Sequence, residues 1–181
     1  MKKVHLLAFA ACLFFAACNN DGTISASTND ANGDTTKMTQ EDKEERNKKV
    51  VMESMAAMNA HNPNDVLKNV TADAVDYGDG SMPPVKNMDS VKAGMNGFLA
   101  AFPDYKGDNL EAVADGDKVL VYGEWSGTMK NDFMGMKATG KSFKFKDVDI
   151  FTFNDEGKIT SHRNVVPWTV LVQQVGGKMP K

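Results

Sequence analysis

The strongest constraint on the fold is an alternating pattern in residues 142–166. Its first half places phenylalanines at every second position on both sides of Asp147 and Asp149, with lysines and a threonine between them. A period of two is typical of a β-strand with one buried face. A turn-forming segment, residues 154–157, separates this strand from a second alternating one, residues 159–166. The pattern therefore predicts a long β-hairpin whose turn is closed by a glycine in the left-handed conformation.

Two aspartates interrupt the apolar face of the first strand. Asp147 and Asp149 share the parity of the phenylalanines, and an unpaired carboxylate in a dry core is strongly disfavoured. The pattern is compatible with three environments for these two aspartates: a polar cavity, a subunit interface or solvent. Because Lys144 and Lys146 alternate with these residues, we favour ion pairs at a surface or an interface. In a cavity, either carboxylate would instead be an acid or base with a raised pKa.

The N-terminal segment indicates export and lipid anchoring. A charged start is followed by an apolar run, residues 4–15, that is too short to span a bilayer. The small residues before Cys18 resemble a bacterial lipobox, in which the cysteine is lipidated and becomes the first residue of the mature chain. We therefore predict a signal peptide over residues 1–17, lipidation at Cys18 and a flexible tether over residues 18–38. The expected location is the bacterial cell envelope, on the periplasmic or surface side. The alternative is an ordinary signal peptide with an incidental cysteine.

The composition of the mature chain limits its chemistry. Removing Lys2 and Lys3 with the signal peptide lowers Lys+Arg from 21 to 19 against 24 Asp+Glu, a net charge of −5. This acidity disfavours nucleic acid as a partner, because such binding depends on neutralising phosphates. Cys18, the one cysteine left, is used by lipid, and no ligand spacing for a metal or fingerprint for a cofactor is found. We predict no metal and no cofactor.

Residues 39–178 predict a single α+β domain. Thr39 opens a first helix with a capping box, and Asn62 followed by proline opens a short second one. A short strand precedes a third helix, whose apolar residues recur at helical spacing over residues 91–102. Mostly strands follow, over residues 105–166. Leading helices followed by strands indicate a curved antiparallel sheet packed on about three helices.

Six short segments, by their order and spacing, carry a family resemblance: NAHN at 59–62, FLAAFPD at 98–104, GEWSGT at 123–128, DIFTF at 149–153, GKI at 157–159 and LVQQVG at 171–176. Together they resemble the SnoaL-like branch of the nuclear-transport-factor-2-like superfamily. The resemblance spans residues 43–176 and implies a cone-shaped α+β barrel of the cystatin-like kind. It also implies an apolar pocket between sheet and helices, and often a homodimer paired through the sheet. Members include polyketide cyclases, steroid isomerases, dehydratases and epoxide hydrolases, as well as proteins without a reaction. The fold therefore does not decide the function.

The resemblance also suggests where a site would lie. In SnoaL-like cyclases the general acid/base is an aspartate on the strand after the last hairpin, two residues beyond a histidine. This pattern places the histidine at His162 and the acid/base position at Asn164. An amide has no proton to exchange near neutral pH, so the cyclase chemistry should be absent unless another group replaces the aspartate. His162 is the candidate catalytic residue, since its ordinary pKa suits acid–base work. Its alternative role is a structural hydrogen bond inside the cone.

Four residues are candidates for the ligand pocket: Asn164, Tyr77, Tyr122 and Trp125. The rings combine an apolar body with a polar tip, although plain core packing is the favoured explanation for each of the three rings. Three functions remain open. The chain could be a lipid-anchored module that binds a small hydrophobic molecule, or an isomerase, dehydratase or hydrolase that uses His162. The third is a dimeric interaction module whose pocket is filled. The sequence identifies neither the ligand nor whether the chain is an enzyme.

Overall fold

The computed structural model of this chain describes residues 38–177. The predicted signal peptide over residues 1–17, Cys18 and the predicted tether up to residue 37 lie outside the described residues. So does residue 178, the last of the predicted domain. No helix within residues 38–177 has the length and apolar character needed to cross a membrane.

Helices and strands follow the predicted order. The helices are α1 (Gln40–Asn59), α2 (Pro63–Val66), α3 (Met88–Ala101) and α4 (Trp168–Gln174), and the strands are β1 (Val70–Asp76), β2 (Lys106–Asp115), β3 (Lys118–Thr128), β4 (Ser142–Phe153) and β5 (Ile159–Asn164). The predicted hairpin is confirmed as β4 and β5, with Gly157 at a φ of +75° in the turn. Helix α4 was not predicted from the sequence. This helix has only seven residues, and no side chain caps its start.

The starts of the first two helices are fixed locally, as the sequence predicts. The Thr39 side chain accepts a hydrogen bond from the Asp42 backbone N–H at 3.1 Å, and the Asp42 carboxylate accepts one from the Thr39 N–H at 3.0 Å. Asn62 caps α2, and Pro63 occupies its first turn. Each cap supplies acceptors for N–H groups that the helix itself leaves free.

The five strands form one curved sheet in the order β1-β5-β4-β3-β2. Strands β2 to β5 are paired antiparallel, whereas β1 runs parallel to β5. The predicted α+β fold with a curved antiparallel sheet is confirmed for β2 to β5, and the parallel edge strand β1 makes the whole sheet a mixed one. The physical reason is the path of the chain. The chain leaves β1 at one edge of the sheet, passes through α3 and starts β2 at the opposite edge. The antiparallel strands β2 to β5 then lead back across the sheet, and β5 arrives beside β1 running in the same direction.

The concave face of the sheet holds two apolar clusters. The aromatic cluster packs against α3 and α4 and includes Ala101, Phe102, Trp125, Met129, Met136, Phe143, Leu171, Val172 and Val175, while the aliphatic cluster under α1 includes Val51, Val119, Val121, Phe151, Phe153 and Ile159. Along β4, the inward positions run from the aromatic cluster through Asp147 and Asp149 to the aliphatic cluster. The core is thus divided by polar side chains at the middle of the sheet.

Candidate functional site

A band of five polar side chains crosses the concave face between the two apolar clusters. This polar band consists of Asp76 on β1, Asp147 and Asp149 on β4, and His162 and Asn164 on β5. The sheet register brings them together, because Asp76 pairs with His162 and Asp149 pairs with Asn164. Paired residues on neighbouring strands direct their side chains to the same face. The expectation that His162 and Asn164 share a face is confirmed.

His162 lies between two carboxylates. Its Nδ1 is 3.1 Å from Asp76 Oδ1, and its Nε2 is 3.3 Å from Asp149 Oδ1. Carboxylates only accept, so both ring nitrogens carry a proton in this arrangement. Burial by itself would lower the pKa of His162, but the hydrogen bonds to Asp149 and Asp76, and their charges, raise it to about 10. The ring is an imidazolium at neutral pH and cannot serve there as a general base.

Asp76 is the second member of this ion-paired array. Its Oδ1 accepts the Gly78 backbone N–H at 2.9 Å as well as the His162 ring N–H. Burial would raise its pKa, but the hydrogen bond and charge of His162, and the Gly78 N–H, hold the pKa of Asp76 below its ordinary value. Within residues 38–177, neither Oδ2 of Asp76 nor Oδ2 of Asp149 has a hydrogen-bond partner. Each of these carboxylates therefore has one oxygen available.

Asp147 has a structural role at the corner between β5 and α4. Its Oδ1 accepts three backbone N–H groups, from Val148 at 2.7 Å, Val166 at 2.8 Å and Val165 at 3.1 Å. Only 7% of the residue is exposed. Burial and the charge of Asp149 raise its pKa above the ordinary value, and the N–H groups offset part of that effect. The carboxylate fixes the bend on which Asn164 lies.

The preference for Asp147 and Asp149 in surface or interface ion pairs is wrong. Both point into the cone, and 14% of the Asp149 side chain is exposed. The neighbouring lysines point outward, where Lys144 pairs with Glu124 at 2.6 Å. Alternation in a strand separates two faces, and here the carboxylates lie on the buried one.

Tyr105 is a member of the site that the sequence analysis missed. Its ring packs edge-on against Phe98 with centroids 5.0 Å apart. Burial, and then the charges of Asp149 and Asp147, raises the pKa of Tyr105 well above its ordinary value. Its hydroxyl therefore stays protonated and has no partner within residues 38–177. Tyr105 precedes β2 and Asp76 ends β1, so neither position stood out in the local sequence pattern.

A small cavity opens beside the polar band. It has a volume of about 60 Å³ and lies between β1, β5, α2 and α3. Asp76 and His162 border it together with Ser54 and Ser161, and the remaining lining is apolar: Val66, Leu67, Val70, Ala74, Val75, Met88, Val91, Met95 and Ile159. Pockets for drug-sized ligands are roughly 300–1,000 Å³. This cavity has room only for a small group.

Two of the predicted pocket residues lie elsewhere. Tyr77 is 39% exposed and stacks on the Arg163 guanidinium at 4.8 Å, and Tyr122 is 43% exposed on the outer face of β3. The prediction that they line the pocket is corrected, since strand parity directs Tyr122 away from inward-facing Val121. Trp125 does face inward, but it is buried in the aromatic cluster.

The polar band is not arranged as a metal centre. Within the described part of the chain, no group of three or more His, Cys, Asp or Glu side chains is placed to hold a metal ion. The arrangement instead offers two free carboxylate oxygens, a fixed imidazolium and a neutral phenol, and of these groups Asp76 and His162 border the small cavity. These are groups that can accept, hold and donate protons or hydrogen bonds.

Comparison with known proteins gives a consistent result. A family model described as SnoaL-like polyketide cyclase matches residues 49–175. Among solved structures, AclR, a candidate hydroxylase of Streptomyces galilaeus, is 29% identical with a TM-score of 0.63, covering 76% of this chain and 84% of AclR. A candidate SnoaL-like polyketide cyclase of Jannaschia sp. CCS1 is 18% identical with a TM-score of 0.66, covering 73% and 92%. A candidate polyketide cyclase of Xanthomonas campestris pv. campestris is 16% identical with a TM-score of 0.67, covering 74% and 98%. No curated protein matches the chain significantly in sequence.

Proposed function

This chain belongs to the SnoaL-like polyketide cyclase family, and on that premise we propose that its polar band catalyses proton transfer on a small molecule. The observation that carries the proposal is the arrangement at Asp149. One oxygen of this carboxylate is held by His162 at 3.3 Å, the other has no hydrogen-bond partner within residues 38–177, and the charge of Asp149 helps to keep the buried Tyr105 protonated. Ion-paired carboxylates in the middle of an apolar sheet face oppose folding unless something compensates. A catalytic role accounts for their presence.

The proton acceptor in this proposal is Asp149. His162 has no free nitrogen, because each ring nitrogen faces a carboxylate oxygen. Its role is to orient Asp149 and to balance its charge, with Asp76 fixing the ring from the other side. This changes the assignment drawn from the sequence, in which His162 exchanged the proton. It also supplies the carboxylate that is missing at Asn164, from the strand that pairs with it.

The chemistry follows from these roles. Oδ2 of Asp149 takes a proton from a carbon next to a carbonyl group of the substrate, and the electron pair of that C–H bond moves to the carbonyl oxygen. The neutral Tyr105 hydroxyl donates a hydrogen bond to the oxyanion that forms. Return of the proton from Asp149 to a different carbon gives an isomer, so no other reactant is needed. A donor fixed in advance stabilises developing charge without reorganisation, which is the largest contribution in many enzymes.

The test uses hydrogen exchange on model carbonyl compounds. The full chain is incubated with butanone or acetylacetone in D2O, and deuterium incorporation at the carbons next to the carbonyl is followed by NMR. We expect exchange above the buffer rate, and its loss in Asp149→Asn. Asp115→Asn, which removes a charge from the exposed end of β2, is the matched control and should keep the wild-type rate. Exchange that persists in Asp149→Asn would refute the assignment.

A second function is supported by Asn164, which stands where the family has its acid/base aspartate. The protein would then bind a small molecule without turnover. The two functions separate in His162→Gln, because glutamine keeps a hydrogen bond to one carboxylate but carries no charge. Binding alone predicts that copurified ligand, measured by mass spectrometry after organic extraction, is retained in the variant. Catalysis predicts loss of exchange with the fold intact.

Lipid anchoring completes the proposal. The residues before Cys18 resemble a lipobox, and a lipid on Cys18 would hold the domain at a bacterial membrane. We expect the wild-type protein in the membrane fraction of a bacterial host, labelled by a fatty-acid analogue, and Cys18→Ser without label. Cys12→Ser, inside the predicted signal peptide, should behave as wild type. Equal labelling of both variants would contradict the proposal.

A further inference from the structure

We propose that the cavity beside Asp76 takes the short alkyl chain of a small ammonium compound, whose positive head lies against Asp76. The proposal rests on the proposed function in taking the polar band as a binding site. It adds the class of ligand, which neither the fold nor the reaction type specifies. Three features of the site support it independently: its charge, its free hydrogen-bonding atoms and its volume.

The charge of the polar band favours a cation. Three carboxylates face the interior from β1 and β4, and His162 on β5 is the one cationic group among the side chains of the band. The other polar members of the site, Asn164 and Tyr105, are neutral. The nearest basic residues of β4 and β5 point to the outer face, where Arg163 stacks on an exposed tyrosine. An anionic ligand would therefore meet excess negative charge on partly buried side chains.

The hydrogen-bonding atom that is free at the cavity favours a ligand that donates a hydrogen bond. At the cavity, Oδ1 of Asp76 is occupied by Gly78 and His162, and Oδ2 has no partner within residues 38–177. Both ring nitrogens of His162 are already committed to carboxylates. The atom that remains at the charged end of the cavity is thus an acceptor. An ammonium group satisfies it with a charge-assisted hydrogen bond, whereas a carboxylate or a ketone oxygen cannot.

The volume and lining of the cavity limit the size of the ligand's alkyl chain. The cavity holds about 60 Å³, a few times the roughly 10–15 Å³ that one water molecule needs. Valine, leucine and methionine side chains from α2 and α3 line it beyond the charged end. Apolar walls favour an alkyl chain over water. A chain of about two or three carbons fits this space, and the large rings of a polyketide do not.

The experiment is an NMR titration of the full chain with n-alkylammonium chlorides from methyl to hexyl, and with n-alkanols and n-alkanoates of equal length. The signals of the His162 ring report on binding at the site. We expect the ammonium series to bind, with affinity rising about fourfold per added methylene, as apolar transfer predicts, up to about three carbons. Alkanoates should not bind. Alkanols that bind as tightly as ammonium compounds of equal length would overturn the proposal.

Variants locate the contact. Asp76→Asn should lower the affinity for propylammonium at least about tenfold, the effect of losing a charge-assisted hydrogen bond. Its amide oxygen can still accept from Gly78 and His162, so the fold is kept. Asp73→Asn removes an exposed charge from the same strand and should bind as wild type. As a second variant, Val66→Ile adds one methylene to the wall and should shorten the preferred chain by about one carbon. Wild-type affinity in Asp76→Asn would overturn the proposal.

Different results would refute the proton-transfer function and the proposed ligand class. Asp149→Asn should abolish hydrogen exchange on carbonyl compounds, whereas propylammonium should still bind and lose less affinity than in Asp76→Asn, since Asp76 borders the cavity and Asp149 does not. Ammonium binding without any hydrogen exchange would refute the proton-transfer function and keep the ligand class. Hydrogen exchange on neutral ketones with no ammonium binding would refute the ligand class and keep the proton-transfer function.

Discussion

The imidazolium of His162 makes the stability of this fold depend on pH in a defined direction. Its pKa rises from an ordinary 6.5 to about 10 in the folded chain. A pKa that is higher in the folded state stabilises the fold fully below the unfolded value and stops doing so as pH rises through the folded value. The contribution is therefore complete below about pH 6.5 and lost by about pH 10. Asp76 acts oppositely, because its pKa is lowered and its contribution is lost in acid.

The magnitude follows from the same two values. At about 1.4 kcal/mol per tenfold change in proton affinity, the upper limit is about 5 kcal/mol. The His162 and Asp76 side chains are 31% and 32% exposed, so water screens part of the interaction with the carboxylates. We expect about 2 kcal/mol of unfolding free energy to disappear between pH 6.5 and pH 10. Glutamine at position 162 cannot ionise and should show none of this loss.

The assay is urea unfolding of wild type and His162→Gln from pH 6 to pH 10.5, followed by the fluorescence of Trp125 and Trp168. The difference in unfolding free energy between the two proteins isolates the histidine from the lysines and tyrosines that titrate in both. Arg163→Gln removes a cation from the outer face of the same strand and should keep the wild-type pH dependence. NMR titration of the His162 ring gives the pKa directly. A ring that titrates near 6.5, or equal losses in wild type and His162→Gln, would refute the reasoning.

Three further predictions concern packing and assembly. Asp147→Ala leaves three backbone N–H groups without their acceptor, so the unfolding free energy should fall by about 3 kcal/mol in urea titrations; an unchanged value would contradict this role. Gly123→Ala brings a Cβ to 2.3 Å from Leu110 Cδ2 and should cost about 1–3 kcal/mol, whereas Gly94→Ala in α3 meets nothing within 4 Å and should gain about 0.5–1 kcal/mol. The expected homodimer through the sheet predicts that wild type sediments as a dimer and Ile150→Lys, on the outer face of β4, as a monomer. Identical sedimentation of the two proteins would count against pairing through this face.

The local features of this fold could be read from the sequence. The capping box at Thr39, the Asn62 cap before proline and the hairpin turn at Gly157 each depend on a few adjacent residues, and all three are present. The family was also recognisable, since its motifs lie in short segments. The helix α4 was missed because seven residues without a capping side chain carry too weak a local signal.

The site was only partly predictable. His162 and Asn164 were placed on one face by alternation, and the structure keeps them there. Their partners come from elsewhere in the chain: Asp76 is 86 residues before His162, and the hydrogen bond between them depends on the parallel pairing of β1 with β5. Tyr105 precedes its strand, so its direction was not set by alternation.

By itself, the sequence determined which residues share a face of each strand, where α1 and α2 begin, and the family of the domain. The tertiary structure decided which face is buried, so that Asp147 and Asp149 point into the cone and Tyr122 points out of it. It also decided the partner of each strand. The physical reason is that periodicity and capping arise from neighbours along the chain, whereas burial, ion pairing and pKa shifts arise from side chains that only long-range strand pairing brings together.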